Sequence, residues 1–136
     1  MSEMAPVLFS KRTALAIAIG WTSLIVVLLS LPGSSLPDTT LWDYDKLGHG
    51  GIFFVLVLVW LNALSAFSVR TIILVVICGL TLAPLSEWYQ SALPTGRTAD
   101  VFDSVADAVG IALGAIVWVI ILFRRGRRKL PGNFQQ

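Results

Sequence analysis

The chain has 136 residues, of which 56% are hydrophobic and only 13% charged, with a mean hydropathy of +0.81. A soluble domain carries about 25% charged residues, so a water-facing polar shell is excluded and the class is an integral membrane protein with one domain. The single cysteine, Cys78, excludes an internal disulfide and a thiolate metal site.

A spanning helix needs roughly 20 mostly apolar residues. Four segments satisfy this, predicting an all-α bundle of four transmembrane helices over Thr13–Leu31, Leu47–Leu64, Thr71–Tyr89 and Ser104–Phe123. Residues 1–12 form a short N-terminal segment, 13–123 the membrane domain and 124–136 a basic tail. The first apolar stretch exceeds the 7–15 residues of a signal peptide, and no A-x-A site follows, so it is expected to remain as a span. "LPGSSLPDTT" and "SALPTGRTAD" read as loops, and "SAFSVR" as a tight turn that makes the second and third spans antiparallel neighbours. Pro84 is expected to kink the third span. Gly50 and Gly51, with the pair Gly110 and Gly114, let backbones approach. Trp21, Trp60 and Trp118 are expected to face lipid or pack.

Lys11, Arg12, Arg70 and the five basic residues of 124–129 lie on one side of these spans, against Lys46 and Arg97 on the other. This bias puts both termini in the cytoplasm and both long loops outside. Trp42 and Trp88 then fall at the outer interface.

The remaining ionisable residues gather at the outer ends. Asp45, Lys46 and His49 open the second span. Glu87 and Gln90 share a face of the third, and Asp100, Asp103 and Asp107 share a face of the fourth. Asp107 is about 6 Å deeper than Asp103. A carboxylate at such depth is costly and normally has a partner. Lys46, His49 and Arg97 are the candidates, and a protonated Asp107 donating to a carbonyl is the alternative. The second arrangement is favoured, so Asp107→Asn is expected to leave thermal stability almost unchanged while Asp103→Asn lowers it.

The order Asp45-Lys46-x-x-His49, Glu87-x-x-Gln90, Pro94-x-Gly96-Arg97-x-x-Asp100-x-x-Asp103-x-x-x-Asp107-x-x-Gly110 resembles the VanZ-like family of small bacterial four-span membrane proteins. The resemblance covers about residues 31–114. Two positions depart from it. Asp107 stands where the family usually has Asn, and Phe53 where it has Tyr. The resemblance implies a multi-pass protein of the bacterial cytoplasmic membrane and cell envelope. The family's name comes from a gene associated with resistance to the glycopeptide teicoplanin, and its molecular activity is unestablished.

Three functions compete for the polar end. In the first, Asp45, Lys46, Gln90, Arg97, Asp100, Asp103 and Asp107 form a binding site, with His49, for an anionic lipid, a lipid-linked cell-wall precursor or a glycopeptide-like ligand. The N-termini of the second and fourth spans favour such anions. In the second, His49 acts as acid/base, oriented by Asp45 or Glu87, on a lipid phosphate or lipid-linked precursor, while Lys46 and Arg97 stabilise an oxyanion. In the third, the charges only fix helix register. No cofactor or metal is assigned, although His49, Glu87, Asp103 and Asp107 could alternatively ligate Mg, Mn or Ca in preference to Zn. Membrane lipids are the expected surroundings. The basic tail is expected to touch anionic lipid and not nucleic acid, and the oligomeric state is left open.

The orientation is testable by labelling single cysteines introduced at Thr95 and Arg70 in a Cys78-free background. A membrane-impermeant maleimide should label position 95 from outside and position 70 only after permeabilisation. Outside labelling at position 70 would overturn the arrangement.

Overall fold

The computed structural model describes residues 9–31, 42–94 and 100–128. Among these the chain forms four helices: α1 (Lys11–Ser30), α2 (Trp42–Ala63), α3 (Val69–Ala92) and α4 (Val101–Arg128). Each is long and apolar enough to cross a membrane, and the protein is a four-helix, multi-pass membrane bundle.

Helix ends follow local chemistry. Ser10 accepts a hydrogen bond from the Thr13 amide at 3.3 Å, and Ser68 accepts one from the Thr71 amide at 3.2 Å. These caps satisfy amides that hydropathy does not register, so α1 and α3 begin two residues ahead of the apolar runs. α2 begins five residues ahead of its run because polar residues are no barrier to helix at the membrane surface. It ends with Ser65 in the left-handed region, at φ 47°. The Ala66 amide reaches the Leu61 carbonyl at 2.9 Å, and the Ser65 amide reaches the Asn62 carbonyl at 3.1 Å. These are the two bonds of a Schellman cap, with serine where glycine is usual. α3 runs through Pro84 without interruption.

Between helices in lipid there is little hydrophobic driving force, so close packing and polar bonds carry the association. α2 packs most closely on α4, while α1 leans on α2 and α3 leans on α4. The sequence suggested α2 and α3 as the natural pair. They do touch, but glycines give α4 the closer seat. A Cβ on Gly110 would collide with the Gly50 carbonyl, and one on Gly114 would lie 2.9 Å from the Phe54 carbonyl. Gly51, adjacent in sequence, has open space around its Cβ direction.

The three mid-span tryptophans are packed and bonded. Trp21 Nε1 donates to the Ile52 carbonyl at 3.1 Å, and Trp60 Nε1 donates to Thr22 Oγ1 at 3.0 Å. Together they join α1 to α2. Trp118, fully buried, donates to the Ala66 carbonyl at 2.8 Å and anchors α4 to the α2–α3 turn.

Gly110→Ala should therefore lower the melting temperature in detergent, because overpacking a tight contact costs about 1–3 kcal/mol. Gly20→Ala, with no atom near its Cβ direction, should be neutral or slightly stabilising, by up to about 1 kcal/mol. Equal melting temperatures for Gly110→Ala and wild type would refute the close backbone crossing.

Candidate functional site

The α2–α4 crossing sets the site. His49 precedes Gly50 in α2, and Asp107 lies three residues before Gly110 in α4, so close backbones bring the two side chains face to face. His49 Nδ1 lies 3.3 Å from Asp107 Oδ1, and His49 Nε2 lies 3.8 Å from Asp103 Oδ2. The sequence offered Lys46, His49 and Arg97 as partners of Asp107 and favoured a protonated Asp107 donating to a carbonyl. Among the described residues His49 stands at ion-pair distance, and neither Asp107 oxygen makes a hydrogen bond to a carbonyl.

One turn outward, Lys46 Nζ donates to Asp100 Oδ2 and Asp103 Oδ1, both at 2.9 Å. It also sits 5.5 Å from the centre of the Phe102 ring. Lys46 and Asp100 remain about one-third exposed, whereas Asp103 is almost covered. The lysine read from sequence as an anion or oxyanion contact thus spends its donors on two carboxylates. The Lys46 ammonium, together with the Phe102 amide that donates to Asp100 Oδ1 at 2.8 Å, holds the Asp100 carboxyl below the usual carboxylate range. Asp100 is also the cap of α4.

α3 supplies the third wall. Glu87 Oε2 accepts from the Asp100 amide at 3.0 Å, which ties the end of α3 to the start of α4. Glu87 is 5% exposed, Gln90 2% and Asp107 0%. Glu87 Oε1, Gln90 Nε2 and both carboxylate oxygens of Asp107 are buried without a hydrogen-bond partner. The 3.3 Å approach of His49 to Asp107 brings the charges together without the alignment of a hydrogen bond.

One nitrogen of His49 and one carboxylate oxygen each from Glu87 and Asp107 lie within 4.8 Å of one another. A divalent ion holds N and O donors at about 2.0–2.6 Å depending on the metal, so opposed donors sit about 4.0–5.2 Å apart. The three groups are thus spaced to surround one ion with little or no movement. Asp103 is engaged with Lys46, which leaves it beside this group and not within it.

Of the residues singled out from sequence, Lys46, His49, Glu87, Gln90, Asp100, Asp103 and Asp107 gather at one end of the bundle. Arg97 and the Asp45 side chain lie outside the described residues. Ser86 was not singled out. It is buried beside Glu87, and its Oγ donates to the Ala83 carbonyl at 2.6 Å. Its position one turn before Gln90, at i−4, was the available signal.

The comparisons with known proteins correct one expectation. No family model matches the sequence. A protein of the fission yeast Schizosaccharomyces pombe, described only as uncharacterized, is 37% identical over 83 residues, which is 60% of this chain and 50% of the yeast protein. The match thus spans about half the length of that relative. No solved structure matches. The resemblance to the VanZ-like family is therefore overturned, and the bacterial-envelope and glycopeptide expectations that rested on it are left without support. The physical reason is general. Any polar cluster confined to one face of a helix repeats at intervals of three, four and seven residues, so this spacing does not identify a family.

Proposed function

We propose that this protein is a membrane protein that binds a divalent cation in the buried group His49, Glu87 and Asp107. The observation carrying this reading is the set of buried carboxylate oxygens without hydrogen-bond partners on Glu87 and Asp107, facing one imidazole within 4.8 Å. Charge supports the same conclusion. Among the described residues of the cluster, Lys46 and His49 stand against four carboxylates: Glu87, Asp100, Asp103 and Asp107. Lys46 is engaged by two of these, so among the described residues the imidazole is the one counter-charge facing the inner pair. Two carboxylates about 4 Å apart repel by roughly 4 kcal/mol at an effective dielectric constant of 20. A divalent ion reverses the sign of that interaction. An anion bound directly would worsen it, which disfavours the simplest anion-site reading of the sequence.

Mixed imidazole and carboxylate donors suit Mn2+, and Zn2+ is the competitor favoured by affinity order. Gln90, buried beside Glu87, has an amide oxygen that can accept from metal-bound water.

Thermal unfolding in detergent tests the reading. Saturating Mn2+ or Zn2+ should stabilise the wild type by about 2.7 kcal/mol at one hundred times Kd. Glu87→Gln and Asp107→Asn should abolish the shift, while in EDTA Asp107→Asn should unfold at the wild-type temperature or above. Asp103→Asn should unfold earlier with or without metal, because it strips a partner from Lys46, yet keep the shift. No shift in the wild type with Mn2+, Zn2+, Mg2+ or Ca2+, or an undiminished shift in Glu87→Gln, contradicts the reading.

A further inference from the structure

α1 and α3 make little contact with one another, and α2 forms the floor between them. Two apolar cavities, of about 310 and 230 Å³, lie along this gap and share Thr22, Leu56 and Leu82. They therefore form one groove. Its inner end reaches Leu64 and Leu74, near the α2–α3 turn, and its outer end reaches Ser86 and Tyr89. From Leu74 to Tyr89 the groove follows α3 for about 22 Å, most of the roughly 30 Å hydrocarbon thickness. Tyr89 Oη and Ser30 Oγ, 3.0 Å apart, tie α3 to α1 across the outer end.

The outer end of the groove lies close to the charged cluster. Ser86 adjoins Glu87 in the chain, and Phe53, on the groove floor, lies one helical turn from His49. A long, narrow, apolar channel thus ends about one helical turn from a buried polar group. Three protein donors leave open positions on a divalent ion, as in metal sites that take substrate or water. With the cation in place, those open positions attract an anion, whereas the carboxylates alone repel one. An apolar tail and an anionic head are what this combination fits.

Building on the cation reading, we propose that the groove between α1 and α3 seats one hydrocarbon chain of a membrane lipid. The phosphate monoester head of that lipid completes the coordination of the ion held by His49, Glu87 and Asp107. The chain runs along Leu82, Leu56 and Thr22, and the head lies at the level of Ser86. Selectivity then divides between two features: the ion requires a phosphate, and the groove requires a chain.

Native mass spectrometry tests this on the full chain, extracted from phosphatidylcholine vesicles doped with phosphatidic acid. With Mn2+, the wild type should retain one phosphatidic acid, and EDTA should reduce retention at least about tenfold, equivalent to roughly 1.4 kcal/mol. Leu82→Trp narrows the groove where the two cavities meet, at a residue already 45% exposed. It should lose the lipid about tenfold while still binding Mn2+. Without any substitution, phosphatidic acid plus Mn2+ should slow alkylation of Cys78, which lines the groove, by a hydrophobic maleimide. Inorganic phosphate plus Mn2+ should leave that rate unchanged. Equal retention of phosphatidylcholine, undiminished retention by Leu82→Trp, or Cys78 protection by inorganic phosphate overturns the lipid assignment. Mn2+ binding without lipid retention overturns the groove alone. Failure to bind Mn2+ overturns the cation reading and this proposal with it.

Discussion

The backbone contact between Gly50 and Gly110 governs the rest of the molecule. Where two helices cross with side chains between them, their axes lie about 8–10 Å apart. Here Gly110 leaves no room for a Cβ beneath the Gly50 carbonyl, so α2 and α4 are drawn together at one level of the membrane. The residues beside that level, His49 and Asp107, then meet at 3.3 Å. One turn further out, Lys46 meets Asp100 and Asp103. α3 packs against α4 and is tied to its start by Glu87, which accepts the Asp100 amide. The crossing thus determines both the fold and which charges face each other.

The two layers of the cluster differ physically. The outer layer is a lysine shared by two aspartates and partly open to water, where ion pairs are modest in value. Through Asp100 it also caps α4. The inner layer is almost entirely covered and holds more acceptor oxygens than donors. Groups of that kind are expensive to bury unless something positive compensates them. The proposal of a bound cation follows from the contrast between these layers: the outer one is closed by its own side chains, and the inner one is not. The apolar groove extends the same logic into the membrane, because its outer end, at Phe53 and Ser86, lies about one helical turn from the layer with unused coordinating capacity.

The four helices were legible in the sequence, because runs such as "LIVVLL" and the third segment leave no soluble alternative. Their ends were legible only to within a few residues, since Ser10 and Ser68 act through single hydrogen bonds that hydropathy cannot register. The gathering of Lys46, His49, Glu87, Gln90, Asp103 and Asp107 was also legible, as one-faced spacing on helices whose ends share a side. Their pairing was not. Whether Lys46 or His49 faces Asp107 depends on the register of α2 against α4. That register is set by Gly50 and Gly110, whereas Gly51, equally small, plays no part. Family identity failed for a related reason. Helical periodicity imposes the spacing on any such cluster, and the fission-yeast match lies outside the bacterial setting that the spacing suggested.

The central claim is that His49, Glu87 and Asp107 hold one divalent ion. Pulsed electron paramagnetic resonance of the detergent-purified protein loaded with Mn2+ tests it most directly, because imidazole coordination gives a nitrogen modulation that carboxylates and water do not. The account predicts one Mn2+ per chain with a single imidazole nitrogen coupling, lost in His49→Gln. Mn2+ bound without nitrogen coupling, or a coupling that survives His49→Gln, would contradict it.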